Sequence, residues 1–265
     1  MNDALTLENL SVCFNGRHVL QNVSASFPTS GISVLIGRSG SGKTTLLRAI
    51  NRLNEEFPGC VTTGQIHICF RNGWFAVYPD EGPDKGPNAG PEDNRSGGSM
   101  TLPELRTRVG MVFQTPNLFP VSVKQNLSIP LKWVRGFGKR EVEYRIRFSL
   151  ESVGLWKELD GRLDMPAERL SGGQQQRLCL ARTLSLEPEV LLLDEPTASL
   201  DVHAAKTIEK LLMDLSETYV LIMVSHSLSQ ARRMGSRIFI CEEGRISGML
   251  ETGSDVSDDV LARLL

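Results

Sequence analysis

Short apolar runs that lack polar alternation constrain the fold of this chain most strongly. Helical patterns of apolar residues lie between them, and the runs are Ser33–Ile36, Val109–Phe113, Val190–Leu193, Val220–Val224 and Ile238–Cys241. Strands of uninterrupted apolar sequence are typically covered on both faces, as in a parallel sheet. The alternation of strands with helices therefore predicts an α/β fold built on a mostly parallel sheet.

The first 30 residues have a different pattern. Leu5–Leu7 and Ser11–Phe14 precede Asn15-Gly16, a dipeptide that favours a tight hairpin turn, and Val19–Phe27 follows. This order predicts an N-terminal antiparallel β subdomain. A second hairpin is predicted where Asn72-Gly73 separates two further strand-like segments.

Helical periodicity marks two regions of the chain. After Lys43, apolar positions recur at the 3.6-residue spacing of a helix as far as Phe57. Residues 115–168 are predicted to form an inserted α-helical subdomain, because Ser122–Gln125 matches a capping box and apolar positions from Val142 to Val153 mark another helical face.

Residues 79–99 contain three Gly-Pro pairs and almost no apolar side chain. A segment of this composition buries too little surface to offset the entropy of ordering it. We therefore expect a mobile surface loop within a single domain that spans residues 1–265. A regulatory or partner-docking loop is the alternative.

The overall composition argues against several classes of protein. Of the 265 residues, 40% are hydrophobic and 23% are charged, which is ordinary for a globular protein, and the net charge of −2 disfavours a globally basic nucleic-acid binder. No apolar run approaches the roughly 20 residues of a transmembrane helix, so we expect any membrane role to depend on a partner. Five scattered cysteines without a Cys-x-x-Cys pair favour reduced thiols in a cytoplasm.

The segment Gly37–Thr44 fits the pattern G-x-x-x-x-G-K-[S/T] of a phosphate-binding loop. Glycines let the backbone approach phosphates closely, and the first N–H groups of the following helix attract the anion. The pattern assigns the β- and γ-phosphates of ATP to Lys43 and a Mg²⁺ contact to the Thr44 hydroxyl. The predicted ATP-binding residues of this segment are Gly37, Arg38, Ser39, Gly40, Ser41, Gly42, Lys43, Thr44 and Thr45.

Two carboxylates, Asp194 and Glu195, follow the apolar run at Val190–Leu193. Ligands of open α/β sheets bind at the carboxyl ends of the strands. Asp194 is therefore a candidate ligand of Mg²⁺, and Glu195 is the candidate group that polarises the attacking water. Taken alone, the same pattern also describes a strand followed by a solvated turn.

The segment Leu170–Arg177, with the sequence Leu-Ser-Gly-Gly-Gln-Gln-Gln-Arg, resembles the signature sequence of ABC-type ATPases. A capping serine and two glycines make a second helix N-terminus that suits an anion. A plain loop-to-helix cap is the alternative, and the position between a phosphate-binding loop and an Asp-Glu strand disfavours it. The resemblance implies a P-loop NTPase core and ATP hydrolysis.

The resemblance extends to four further positions. Gln114 resembles the glutamine that joins the core to the helical insertion and touches Mg²⁺ or water, and His226 resembles the switch histidine that contacts the γ-phosphate. Asp201 lies in a stretch similar to the D-loop, and Phe14 matches the aromatic residue that stacks on adenine, which is more often tyrosine. An ordinary surface or core role is the alternative for His226 and for Phe14.

The family arrangement implies two chains. Each ATP is held between the P-loop of one chain and the signature of a second, which gives a head-to-tail two-fold dimer. We expect a homodimer, and a heterodimer stays open. The residues expected to act in trans are Ser171, Gly172, Gly173, Gln174 and Asp201. The expected catalytic residues are Glu195, His226 and Gln114, and the expected Mg²⁺ ligands are Thr44, Gln114 and Asp194.

Within that family, Leu47–Asn54, Val109–Pro120 and the triple-glutamine signature are similar to the ATP-binding subunits of phosphate importers. The similarity implies a peripheral subunit at the cytoplasmic face of the cell membrane, bound to transmembrane permease subunits and served indirectly by a substrate-binding protein. It implies no nucleic-acid partner.

The segment Asn126–Trp133 departs from the phosphate-importer pattern. The transported substrate therefore stays open between phosphate and another anion, metabolite or lipid, and so does the direction of transport. A soluble ABC ATPase that acts on DNA or ribosomes is the alternative from another class. The sequence contains no second ATPase half, long coiled coil or basic linker to favour it.

Overall fold

Residues 3–78 and 100–251 are described by the structure, a computed structural model. The predicted Gly/Pro-rich loop at 79–99 lies outside the described residues. The strands are β1 (Asp3–Phe14), β2 (Arg17–Pro28), β3 (Ile32–Ile36), β4 (Cys60–Phe70), β5 (Gly73–Ala76), β6 (Val109–Val112), β7 (Val190–Asp194), β8 (Val220–Val224), β9 (Gly235–Glu242) and β10 (Arg245–Glu251). The helices are α1 (Lys43–Ile50), α2 (Leu102–Arg108), α3 (Val123–Trp133), α4 (Lys139–Ser152), α5 (Leu155–Leu159), α6 (Gly172–Ser185), α7 (Val202–Leu215) and α8 (Leu228–Met234), with 3₁₀ turns at Leu53–Glu56 and Ala167–Arg169.

The predicted N-terminal antiparallel sheet is confirmed. Its four strands lie in the order β2-β1-β4-β5. The Asn15-Gly16 turn joins β1 to β2, because Phe14 pairs with Arg17 and both turn residues have positive φ, +48° and +82°. Left-handed backbone at both positions is what a two-residue hairpin turn of this kind requires.

The chain divides into two compact units, one holding the residues up to Arg106 and from Ser225 onward, the other Thr107–Val224. In the first, β3 pairs in parallel with β9, and β10 pairs antiparallel to β9. In the second, β7 pairs in parallel with both β6 and β8. Every residue of β3 and of β7 is buried, which confirms that these uninterrupted apolar runs are covered on both faces.

Helix α1 is shorter than the apolar spacing predicts, and the prediction of a helix as far as Phe57 is wrong. The helix ends at Ile50, and Arg52 has a φ of +58°, outside the helical region. The guanidinium of Arg52 lies 5.2 Å from the centre of the Tyr78 ring. Buried Asn54 donates to a backbone carbonyl of α1 at 2.8 Å. These polar contacts turn the chain back toward α1 although the apolar spacing continues.

Helices α3, α4 and α5 all fall within residues 115–168. The predicted capping box starts α3: the Ser122 Oγ accepts from the Gln125 amide, and the Gln125 side chain accepts from the Ser122 amide, both at 3.2 Å. The limits of the predicted subdomain stay a prediction. Among the helices of residues 3–78 and 100–251, none is both long and apolar enough to cross a bilayer.

Candidate functional site

The phosphate-binding loop begins where buried β3 ends. Gly37 has a φ of +147°, and a Cβ at this position would collide with the carbonyl oxygen of Cys241 in β9. Side chains other than glycine are therefore excluded from the first loop position by both conformation and space. Strand β9, some 200 residues further along the chain, thus shapes the loop. The motif does not predict this role of Cys241, because none of its positions refers to β9.

Lys43, the first residue of α1, places its ammonium inside the loop. Its Nζ donates to the carbonyls of Gly37 and Arg38 at 2.7 and 2.8 Å, and it lies 3.5 Å from the Ser41 hydroxyl. The side chain is 5% exposed. A buried ammonium needs such oxygen partners, and phosphate oxygens are a stronger alternative to carbonyls.

Arg38, Ser39 and Gly40 are exposed, and together with Ser41 they line one side of a cavity of about 850 Å³. Residues of the β9–β10 hairpin line its other side, and the Gly244 amide at the hairpin turn donates to the Ser41 carbonyl at 3.2 Å. The volume is in the range of sites for small organic ligands. The loop is thus open to solvent on one side and supported by the hairpin on the other.

Phe14, predicted to stack on adenine, is partly exposed at the end of β1. Its ring meets the Phe57 ring edge-on, with 6.4 Å between the centres and 80° between the planes. The Arg48 guanidinium lies 5.5 Å from the centre of the Phe57 ring. Two aromatic rings and a guanidinium therefore lie side by side in the first unit, which is a surface suited to stacking a planar base.

His226 is exposed between two serines that fix the backbone around it. The Ser225 hydroxyl accepts from the Ser227 amide at 3.0 Å and donates to the Gln230 side chain at 2.6 Å. The Ser225 amide donates to the carbonyl of Leu35 in β3 at 3.0 Å. This bond ties the loop that carries His226 to the strand that leads into the phosphate-binding loop.

The two carboxylates at the end of β7, Asp194 within the strand and Glu195 directly after it, have different environments. Asp194 is 7% exposed at the end of the strand, whereas Glu195 is partly exposed. Glu195 has a φ of +48°, and its amide donates to the Val224 carbonyl of the second unit at 3.2 Å. A non-glycine residue in this region carries conformational strain of about 1–3 kcal/mol, which is a frequent property of active sites. Nothing in the Asp-Glu pattern could have predicted this strain.

The signature segment opens α6 with its own cap. The Ser171 Oγ accepts from the Gln174 amide at 3.4 Å, and the Gln174 Oε1 accepts from the Ser171 amide at 3.1 Å. Ser171 and Gly172 are exposed, and Gly173 is buried. The capped N-terminus therefore faces solvent, where an anion has access to it.

Behind the cap, Arg177 and Glu158 of α5 form a two-point ion pair at 2.7 and 2.8 Å. The hydrogen bonds from Arg177 lower the pKa of Glu158.

Asp201 caps the start of α7. Its Oδ1 accepts from the amides of Ala204 and His203, and these bonds lower the pKa of the Asp201 carboxyl.

Each unit brings together part of the predicted set. The first holds the phosphate-binding loop, Phe14 and His226. The second holds Asp194, Glu195, the signature, Asp201 and Gln114, which is exposed two residues after β6. The roles assigned to these residues stay predictions.

The sequence profile of the ABC transporter family matches residues 20–198, from β2 through the phosphate-binding loop and the signature to the Asp-Glu pair. This chain belongs to the ABC transporter family. It is therefore an ATPase, as the sequence predicts. The assignment of ATP binding to the segment Gly37–Thr44 stays a prediction.

Curated relatives extend the similarity over almost the whole ABC chain. The phosphate import ATP-binding protein PstB of Thermotoga maritima is 38% identical over 247 residues, which are 93% of this chain and 89% of the relative. The phosphate import ATP-binding protein PstB 1 of Vibrio vulnificus is 38% identical over 243 residues, which are 92% of this chain and 81% of the relative.

Solved structures confirm the fold. The structure of cbiO1 from Clostridium perfringens, part of the ABC transporter complex cbiONQ, superposes with a TM-score of 0.74 at 26% identity, covering 99% of this chain and 94% of that one. The ATP-binding cassette MJ0796, solved as a post-hydrolysis dimer bound to ADP and Pi, has a TM-score of 0.70 at 27% identity, with 93% and 98% covered.

Proposed function

We propose that this chain is the ATP-hydrolysing subunit of a membrane transporter that imports inorganic phosphate. The similarity to proteins named for phosphate import, over 93% and 92% of the chain, is the observation that supports the substrate. In this proposal phosphate is the cargo of the permease. No residue of this chain is assigned to bind it.

The loop and α1 are proposed to hold the phosphates of ATP. Lys43 exchanges its carbonyl partners for β- and γ-phosphate oxygens, and the first amides of α1 add the attraction of the helix N-terminus. Phe14 stacks on the base. His226, on the loop tied to β3, contacts the γ-phosphate.

Glu195 is proposed to orient and polarise the attacking water as a general base. Mg²⁺, when bound, neutralises the charge that develops on the phosphates. The candidate ligands, Thr44, Gln114 and Asp194, offer the hydroxyl, amide and carboxylate oxygens that this hard cation prefers. Within residues 3–78 and 100–251 no group of three or more His, Cys, Asp or Glu could hold a metal ion.

Two copies are proposed to pair head to tail, with the exposed start of α6 from one copy facing the nucleotide of the other. Ser171, Gly172, Gly173, Gln174 and Asp201 then act in trans. The dimer of MJ0796 supports this proposal. ATP binding shifts the population toward the closed dimer, and hydrolysis shifts it back toward the open dimer. This change between two dimer states is the motion that the ATPase passes on to the transporter.

The residues of 115–168 are proposed to dock on transmembrane permease subunits, which places the chain at the cytoplasmic face of the membrane. A substrate-binding protein delivers phosphate to the permease. Import by the relatives that the chain resembles supports this arrangement.

Uptake of radiolabelled phosphate tests the proposal. Cells that lack the gene should lose high-affinity uptake; the wild-type gene should restore it, and a Glu195→Gln copy should not. If uptake of another anion or metabolite falls instead, the transporter ATPase stands and phosphate does not. If no uptake changes while the purified protein hydrolyses ATP, a soluble ABC ATPase is the better assignment.

A further inference from the structure

Gln176, in the second turn of α6, connects the signature helix to the strand end that precedes Gln114. Its side chain is 2% exposed, and its Nε2 donates to the Phe113 carbonyl at 3.0 Å. Its Oε1 is buried and finds no hydrogen-bond donor within the described part of the chain. Native proteins retain few buried acceptors of this kind, so Gln176 requires an explanation beyond packing.

The neighbouring glutamines have other contacts. Gln174 completes the cap and donates to Glu158, and Gln175 donates to the carbonyls of Glu168 and Leu170 at 3.2 and 3.0 Å. Among the described hydrogen bonds of the three glutamine side chains, the bond from Gln176 reaches the segment after β6. The three glutamines of the signature thus have different contacts: Gln174 caps the helix, Gln175 bonds to nearby carbonyls, and Gln176 makes a long-range contact.

We call Phe113–Phe119 the Q segment, and Arg182 holds its other end. The Arg182 Nη2 donates to the carbonyl and the side-chain oxygen of Asn117 at 2.9 and 2.7 Å, and the guanidinium lies 4.8 Å from the centre of the Phe119 ring. Fully buried Asn126 of α3 accepts from the Phe119 amide and donates to its carbonyl. Gln114 therefore lies on a segment that α6 anchors at both ends.

We propose that Gln176 is a positioning residue that sets the place of Gln114 and so couples the signature helix to the Mg²⁺ position of the same chain. This inference rests on the role proposed for Gln114. Any displacement of α6 acts through Gln176 on the Phe113 carbonyl. Phe113 directly precedes Gln114 in the backbone. The buried Oε1 of Gln176 is an acceptor to which a shifted Q segment can donate. The same side chain can therefore hold the Q segment in two positions.

A double-mutant cycle on the full-length chain tests the coupling. Gln176→Met should lower kcat roughly 2- to 25-fold, the range for residues that modulate a site through others, with the KM for Mg-ATP changed less, because the phosphate-binding loop is untouched. In a Gln114→Ala background, Gln176→Met should cause no further loss of kcat. A purely structural role of Gln176 would make the two losses multiply, and that result or an unchanged kcat overturns the inference.

Gln175→Met is the matched control. It removes an amide one residue away that donates to other carbonyls, so any loss it causes should multiply with that of Gln114→Ala. If Gln176→Met does not fold, Gln176→Asn, which keeps the amide and shortens its reach, must give the same cycle.

Hydrogen exchange separates this inference from the proposed role of Gln114. The amides of the Q segment should exchange faster in Gln176→Met than in Gln175→Met. If Gln114→Ala leaves kcat unchanged, the proposed role of Gln114 fails. Equal exchange in the two glutamine variants shows that Gln176 does not position the segment.

Discussion

Two glycine-rich turns lead into helices in this protein, and they prepare the helix N-terminus in opposite ways. Ahead of α1 the N-cap residue is Gly42, which has no side chain to offer, and the Lys43 ammonium lies inside the loop. Ahead of α6, Ser171 and Gln174 form a complete capping box. Both ends carry the positive end of a helix dipole.

The difference indicates how strongly each helix N-terminus can bind an anion without a second chain. The start of α1 combines uncapped geometry with a buried ammonium, so we expect it to bind phosphates in a single chain. The start of α6 already satisfies an amide with its own serine and lacks an adjacent lysine. We expect it to attract an anion only weakly, and to contribute when a second copy presents its nucleotide.

The largest expected effect separates binding from hydrolysis. Glu195→Gln leaves both helix termini intact and removes the proposed general base, so turnover should fall roughly 10²- to 10⁴-fold while ATP still binds. An ATP-bound dimer should accumulate and elute early from gel filtration in Mg-ATP. Normal turnover by this variant would exclude Glu195 from the proposed role.

Lys43→Ala tests the stronger terminus. Loss of charge-assisted bonds to the phosphates should weaken ATP binding roughly 10- to 100-fold, measured by titration calorimetry. Thermal unfolding must be followed alongside, because the carbonyls of Gly37 and Arg38 lose their donor. An affinity within twofold of wild type would contradict the contrast between the two termini.

Ser171→Arg tests the weaker terminus, with Ser122→Arg as its matched control. Both serines form a capping box with a glutamine three residues on, at the start of α6 and of α3. Both variants should lose similar stability, about 1 kcal/mol by urea unfolding. Only Ser171→Arg should lower ATPase activity, by at least about tenfold, because in the proposed head-to-tail dimer it places bulk and charge at the partner's phosphates. Equal activities would argue against a trans role for α6.

The smallest expected effect is the pH dependence behind the α6 cap. Hydrogen bonds from Arg177 lower the pKa of Glu158 in the folded state. The carboxylate therefore adds stability above its ordinary pKa of 4.5, and this contribution is lost as pH falls through the lower folded value. Glu158→Gln should reduce the free energy of unfolding at pH 7, and that difference should shrink as the pH falls below 4.5. A difference that does not change as the solution is acidified would point to packing instead.

The two hairpins show what turn chemistry in a sequence can and cannot predict. Asn15-Gly16 forms the turn that the dipeptide predicts. At Asn72-Gly73 the prediction is wrong by one residue: Phe70 pairs with Gly73, so Arg71 and Asn72 form the loop and Gly73, with a φ of +122°, begins β5. The dipeptide located the hairpin, but strand pairing decided which residue used the freedom of glycine.

The candidate site shows a similar division. Motifs predict which residues should bind ATP, because a glycine loop and a helix N-terminus suit phosphate whatever surrounds them, and this assignment stays a prediction. They could not predict the carbonyl of Cys241 that shapes the loop or the left-handed backbone of Glu195. Both depend on neighbours brought close only by folding, β9 for Gly37 and the Val224 carbonyl for Glu195.

The carbonyl contacts of Lys43 have a consequence for the speed of nucleotide capture. Immobilising a lysine side chain costs roughly 1.5–2 kcal/mol of rotamer entropy, and here that cost is met during folding, before ATP arrives. In the proposed binding mode, Lys43 exchanges carbonyl oxygens for phosphate oxygens without a search for the right rotamer. Stopped-flow traces of ATP association should accordingly show a single phase whose rate rises in proportion to nucleotide concentration, with no slow isomerisation behind it.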